Sequence, residues 1–404
     1  MSEKKRTLVT CITALVTVLL FYAVHLLMLS MDHSRDHVKF GFIMEGDEST
    51  PYSANYIRSV EEMQQQFGDR VEVVIRNNVP DASVETAIRK LAEEGCDMIM
   101  TNSYGFGEAA KKVAGEYPDI QFCEATCDNA NTEPFYDNYH TFMGEIYEGR
   151  YIAGKVAGLK LQEMIDQNII TEDEAWIGYV GAFPYAEVIS GYTSFFLGVR
   201  SECPSARMRV RYTDTWSGYS IEKVVAEKLI AEGCVIISQH SDTIGPAVVC
   251  EKANVGHPVY HVGYNQDMID VAPTTSLIGT RINWTPYMCS VAEAMLADED
   301  IESRVDGNVH GNDAGAGFSK DWVKMLELNT IIAADGSQEM IDRTIQAFEK
   351  GTVHVFQGDY TGTDPFDPQD TIDLRKGYTE NAEASAPSFH YVLDDVIVVE
   401  EDDD

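Results

Sequence analysis

Short apolar runs alternate with helical patterns along most of this chain, and the alternation occurs twice. VKFGFIMEG (38–46), VEVVIRNN (71–78), CDMIMTNS (96–103) and IQFCEAT (120–126) read as buried strands. Helical stretches separate them: Tyr56, Val60, Met63 and Phe67 at helical spacing, then residues 81–94, then 107–117. A second set follows the small-residue helix at 145–164. Its strands are AWIGYVGAF (175–183), MRVRYTDTW (208–216), CVIISQHSD (234–242), PVYHVGYN (258–265) and SLIGTRIN (276–283), again interleaved with helices. Strands alternating with helices of this length mean βαβ units and parallel sheets. The two sets echo one another: IRKLAEEGCDMIMTNS (88–103) and EKLIAEGCVIISQHSD (227–242) end the same kind of helix–strand step. The fold class is therefore α/β, with two successive doubly wound units. After about residue 300 the pattern weakens. DGNVHGNDAGAG (306–317) and TGTDPFDPQD (361–370) read as loops, 337–350 as a helix, 351–360 as a strand, and LDDVIVVEEDDD (393–404) as a strand or helix running into an acidic tail.

In doubly wound sheets ligands sit beyond the carboxyl ends of the strands. In the first unit those ends carry Glu45-Gly46-Asp47 with Tyr52 nearby, Asn102-Ser103-Tyr104-Gly105-Phe106, and Glu124. In the second they carry Phe183-Pro184-Tyr185, Asp214-Thr215-Trp216, His240-Ser241-Asp242 and Asn265-Gln266-Asp267, with Trp284 after the last strand. Aromatic faces, amides and carboxylates suit a flat, uncharged or weakly cationic ligand, because rings stack and acids accept hydrogen bonds. Arg, Lys and Gly-rich helix starts are missing there, which disfavours a phosphorylated ligand. Structural readings stand beside these. Phe106 could plug a helix start, Phe183 and Trp216 could pack between units, Asp242 and Asp267 could cap helices, and Trp284 could pack at a hinge. Glu148 and Arg150 could form an ion pair.

Among the 404 residues, 30 Lys and Arg face 66 Asp and Glu, a net charge of −36. That excludes a nucleic acid polymer as partner, which needs a basic face. The apolar content of 44% excludes a disordered acidic chain. Residues 8–31 contain no charge and follow Lys4, Lys5 and Arg6. A stretch of that length can span a bilayer, and the preceding cations put its start on the cytoplasmic side. A single-pass signal anchor with an extracytoplasmic body is expected, with a cleaved signal peptide as the rival reading. Eight cysteines occur without a CxxC pair or a neighbouring His cluster, so no metal site is expected from them. No cofactor is expected either. GxGxxG, GxxxxGK[ST], GxSxG and HExxH are all absent, and His240 beside Asp242 has no recognisable nucleophile.

Several motifs together resemble the basic membrane protein family, the extracytoplasmic substrate-binding proteins of ABC transporters for purine nucleosides or purine bases. They are FMGEIYEGRYIAGKVAG (142–158), IGYVGAFPYAEVISGYTSFFLGVRSECP (177–204), TWSG (215–218), ISQHSDT (237–243), GYNQDM (263–268) and INWTPY (282–287). DMIMTNSYGFGEAAKKVAGEYPDIQF (97–122) resembles the family's first-lobe strand–turn–helix segment. The resemblance implies a periplasmic-binding-protein-like type I fold of two parallel-sheet lobes closing at a hinge. Lobe 1 would be 38–139, completed by 285–404; lobe 2 would be 140–284; residues 1–33 would be the stub and membrane anchor. It implies binding without catalysis, a purine ligand and an ABC permease as partners, and a ligand set of Tyr52, Ser103, Phe106, Phe183, Glu187, Trp216, Asp242 and Asn265, to which the strand-end reading adds Asp267 and Trp284. Asn265 stands where many relatives carry an acidic ribose contact, and Thr280-Arg281-Ile282 occupies the region where a lysine is common. A free base is therefore as eligible as a nucleoside. The alternative is a tethered ectodomain that senses the ligand and signals to a membrane partner.

Overall fold

The computed structural model describes residues 13–22, 34–256 and 258–400. Residues 13–22 are helical (α1) and exposed, Phe21 at 74%. Among the described residues no helix is long and apolar enough to cross a membrane. The rest of the expected span at 8–31, and the basic stub before it, lie outside the described residues.

The first sheet is built from β1 (Val38–Ile43), β2 (Val71–Arg76), β3 (Met98–Thr101), β4 (Gln121–Ala125) and β5 (Tyr139–Gly144), all parallel. A hairpin, β11 (Asn308–His310) and β12 (Asp313–Ala316), extends it, β12 running parallel to β5. The order is β11-β12-β5-β4-β3-β1-β2. The second sheet uses β6 (Trp176–Gly181), β7 (Arg207–Tyr212), β8 (Ile236–His240), β9 (Tyr260–Tyr264) and β10 (Ser276–Ile282). Its edges are β13 (Val323–Met325), antiparallel to β10, and β17 (Ile397–Val399), parallel to β7. The order is β13-β10-β9-β8-β6-β7-β17. Read by chain order, the five central strands of each sheet run second, first, third, fourth, fifth. Each sheet thus reverses winding direction beside its first strand, between β1 and β3 and between β6 and β8. Crevices open beyond the carboxyl ends of the strands at such points.

Among the described residues nine further helices cover the sheets. Near the hinge, α2 (Pro51–Phe67) packs on α9 (Thr285–Ala297) against the first lobe, after α3 (Asp81–Glu93) and α4 (Gly107–Ala114) have covered its other face. In the second lobe α5 (Ile146–Asp166) lies along α6 (Ala186–Glu202), with α7 (Tyr219–Ala231) and α8 (Gly245–Ala253) opposite, and α10 (Ser337–Glu349) rests on α5. The small residues of α5 explain its fit. A Cβ on Gly154 would stand 1.9 Å from the Phe195 carbonyl oxygen, and one on Gly198 would stand 2.1 Å from that of Tyr151. The two backbones therefore touch, which only glycine permits.

Several expectations change. Residues 139–144 form β5 of the first sheet, so the first lobe does not stop at 139. Residues 285–404 do not go to one lobe: α9 and β12 join the first, whereas β13, α10 and β17 pack on the second. Residues 306–317 are a hairpin rather than a loop, because β12 can pair with the otherwise open edge of β5. Residues 351–360 contain no strand; Val355 and Phe356 are buried by packing, Phe356 stacking on Phe389 at 4.5 Å. Within 361–370, β14 (Thr361–Thr363) pairs with β15 (Thr371–Asp373) and β16 (Val392–Leu393) in a small third sheet. The helix at 337–350 and a strand near the C-terminus are as expected.

Candidate functional site

The two switch points face each other across a cleft of about 360 Å³, counting its mouth open to solvent. From the first lobe come Glu45 after β1, Asn102, Ser103 and Tyr104 after β3, Thr126 after β4, and Tyr52 from the first turn of α2. From the second come Trp216 after β7, His240 and Asp242 at the end of β8, Tyr264 at the end of β9, and Glu187 in the first turn of α6. Among the described residues no Lys or Arg lines the cleft.

The first wall is tied together from within. The Glu45 backbone N–H donates to Asn102 Oδ1 at 3.0 Å, and Ser103 Oγ donates to Glu45 Oε2 at 2.8 Å. The Tyr52 hydroxyl donates to the Asn102 carbonyl at 2.5 Å. Asn102 is fully buried, yet its Nδ2 has no partner among the described residues. Thr126 holds φ of 72°, a conformation that a β-branched residue rarely adopts. The strain falls where β4 must turn its next residue into the cleft.

The second wall is aromatic and acidic. Phe183 stacks on Tyr185 with centroids 5.0 Å apart, and both rings pack on Trp216, at 5.4 and 6.2 Å. His240 Nε2 lies 3.4 Å from Glu187 Oε1, and its ring sits against Tyr264 at 4.6 Å. Burial lowers the His240 pKa despite Glu187, and Arg150 lowers it further, so the imidazole is neutral at pH 7. Arg150 is itself fully buried behind the wall. It donates to Tyr179, to Ser238 Oγ at 3.2 Å and to the Gln239 carbonyl at 2.9 Å. Its guanidinium lies 5.1 to 5.6 Å from the ring centres of Tyr179, Phe195 and Tyr264. It does not pair with Glu148, which instead accepts the Phe318 N–H at 2.7 Å.

Burial raises the pKa of Asp242 well above the usual carboxylate range, with Glu222, Glu45 and Glu187 adding repulsion. Burial raises Glu45 as well, partly offset by Ser103. At Asp242 and Glu45 the cleft thus favours the neutral carboxyl. A ligand that donates N–H or O–H groups to them restores what burial removed.

Of the ten expected site residues, the fold brings Tyr52, Ser103, Glu187, Trp216 and Asp242 to the cleft. Phe183 supports Trp216 from behind. Phe106 does not reach the cleft: it is fully buried with Ile43, Ile99 and Val113 in the first lobe's core. Tyr104, two residues earlier and 49% exposed, takes the outward position. Asp267 accepts the Ile269 N–H at 2.8 Å and closes a turn. Trp284 packs among Tyr52, Tyr56 and Phe142 at the crossover. Asn265 is buried at the end of β9 outside the lining, with both side-chain polar atoms unpartnered among the described residues. Glu45, Asn102, Tyr104 and His240 were legible as strand-end residues. Tyr264 and Thr126 carried no signal beyond lying at the end of an apolar run.

The sequence model of the PnrA-like ABC transporter substrate-binding proteins (Bmp) matches residues 38–351. A purine-binding protein of Brucella abortus is 29% identical over 330 residues, covering 81% of this chain and 85% of that protein. A protein of Haloferax volcanii named for glucose binding in an ABC transporter is 31% identical over 227 residues, covering 56% of this chain and 53% of its own. Among solved structures, an ABC transporter solute-binding protein from Aeropyrum pernix superposes with a TM-score of 0.62 at 14% identity, covering 78% of this chain and 92% of that one. One from Conexibacter woesei gives 0.59 at 18%, covering 78% and 97%. At such identities the likeness is one of fold: the two-lobed periplasmic-binding-protein-like architecture.

Proposed function

Because this chain belongs to the PnrA-like family of ABC transporter substrate-binding proteins, which bind solutes rather than transform them, we propose that it captures a purine base or purine nucleoside and delivers it to an ABC permease. The observation that carries this reading is the make-up of the cleft: Trp216, Tyr52, Tyr104 and Tyr264 offer ring faces and edges, Glu45, Glu187 and Asp242 offer acceptors, and no cation is present. A purine presents a flat π-system with N–H groups on its edge, and both features find partners here. The relative named for purine binding, similar over four-fifths of this chain, supports the same reading. The missing cations disfavour nucleotides. Residues 8–31 would hold the protein at the membrane with its body outside, so that the cleft faces the extracytoplasmic solution.

The name of the Haloferax relative makes a hexose the necessary competitor in any test. Thermal unfolding is measured with adenine, guanine, hypoxanthine, their nucleosides and glucose, followed by calorimetric titration. A true ligand at 100 times its Kd stabilises the folded state by about 2.7 kcal/mol. At least one purine is expected to do so. A shift with glucose and none with any purine rejects the ligand assignment while leaving the family intact.

A further inference from the structure

We propose that Asp364, Asp370 and His390 form a binding site for one divalent transition-metal ion of the Zn²⁺ kind, apart from the ligand cleft. The three residues converge in the small third sheet. Asp364 directly follows β14 and Asp370 directly precedes β15, so they stand at the base of one hairpin, closed by the Asp364 N–H to the Asp370 carbonyl at 3.0 Å. His390 reaches them from the strand that returns to form β16. One ligand atom from each lies within 4.8 Å of the other two.

The imidazole supplies the decisive detail. His390 Nδ1 lies 2.8 Å from the Ser388 carbonyl oxygen, which can only accept, so Nδ1 carries a proton. That contact fixes the ring so that Nε2 faces Asp370 Oδ2 at 3.3 Å. A ring anchored through Nδ1–H to a backbone carbonyl, with Nε2 turned toward carboxylates, is the arrangement that orients metal-binding histidines. The carboxylates are oriented in the same way. Tyr391 donates to Asp370 Oδ1 at 3.1 Å and the Phe366 N–H donates to Asp364 Oδ1 at 2.8 Å. Each acid keeps its second oxygen for another partner. Ligand atoms about 2.1 Å from a tetrahedral ion stand about 3.4 Å apart, close to the His390–Asp370 separation. One imidazole with two carboxylates suits Zn²⁺ or a neighbouring transition ion; Ca²⁺ prefers six to eight oxygens.

The position has a structural consequence. The segment just before His390 is held by Glu380, whose carboxylate accepts the Ser388 and Phe389 N–H groups. Its Ala386 and Pro387 flank the mouth of the cleft beside Tyr185 and Glu187. A bound ion would fasten this strap to the β14–β15 hairpin.

The test is a calorimetric titration of the full-length chain, stripped with chelator, with Zn²⁺ in 0.5 M NaCl, where diffuse attraction to the acidic surface is screened. One equivalent is expected to bind saturably and to raise the melting temperature. Asp364→Asn and His390→Ala are each expected to weaken it about tenfold or more, with Ca²⁺ binding weaker than Zn²⁺. Co²⁺ in place of Zn²⁺ is expected to show d–d absorption without a thiolate band. If His390→Ala fails to fold, Asp364→Asn alone decides. No saturable binding overturns the site. Binding that both variants leave unchanged, or that prefers Ca²⁺, overturns it equally.

Discussion

Tyr104 of the first lobe and Tyr185 of the second meet across the mouth of the cleft, ring centroids 5.9 Å apart and planes tilted by 38°. Both rings are about half exposed, so the contact joins two surfaces rather than two cores. It is a latch between lobes. An aromatic pair contributes about 0.5–1.5 kcal/mol beyond its buried area. Tyr104→Ala is therefore expected to speed ligand dissociation about 2- to 10-fold, measured by stopped-flow release. An unchanged rate would mean that the tyrosines meet without holding the lobes.

Trp216 and Phe106 separate recognition from folding. Trp216 lines the cleft on a backing of Phe183 and Tyr185. Trp216→Ala is expected to weaken ligand binding by about 1–3 kcal/mol, the scale of base stacking, with little change in the unliganded melting temperature. Phe106 lies in the core, so Phe106→Ala is expected to cost about 3–5 kcal/mol of stability. Calorimetry and thermal melts of the two variants check both halves; weaker binding from Phe106→Ala with normal stability would contradict its placement.

Glu148 predicts a pH dependence. Burial pushes its carboxyl up to about 8, even though the Phe318 N–H bond opposes the rise. An acid whose folded value exceeds its unfolded value favours folding below the unfolded value, near 4.5. That contribution is lost as pH rises towards 8. Glu148→Gln keeps an acceptor for Phe318 and removes the titration. The variant should match the parent in melting temperature near pH 4.5. It should be more stable than the parent at pH 8.5, by at most about 4–5 kcal/mol. Parallel melting curves for the two proteins across this range would refute the assignment.

Gly154 tests the contact between α5 and α6. A methyl group there would press on the Phe195 carbonyl, a backbone atom that cannot rotate away. Gly154→Ala is expected to destabilise by about 1–3 kcal/mol through overpacking. Gly95→Ala should cost less, and by another route. A Cβ there meets nothing, but the residue sits at φ of 79°, which only glycine holds without strain. Denaturant unfolding of both variants measures the difference.

The sequence by itself determined the parallel α/β class, its two successive units and the strand ends that carry the cleft. Those properties come from local periodicity and from the rule that doubly wound sheets open at their carboxyl ends. Glu45, Asn102, Ser103, His240 and Asp242 were readable in this way because each lies at or within two residues of the end of a strand, and Trp216 because it closes the turn after one. Only the tertiary structure decided which ring of the Tyr104–Phe106 turn points outward, since that depends on what α3 and α4 already fill. It also decided that Asp267 spends its carboxylate on its own backbone, and that Tyr264 ends a buried strand facing the cleft. The C-terminal stretch was least legible. Pairings such as β12 with β5 and β17 with β7 join segments far apart in sequence. Their short strands have too little periodicity of their own; they are strands because an open sheet edge supplies the hydrogen bonds.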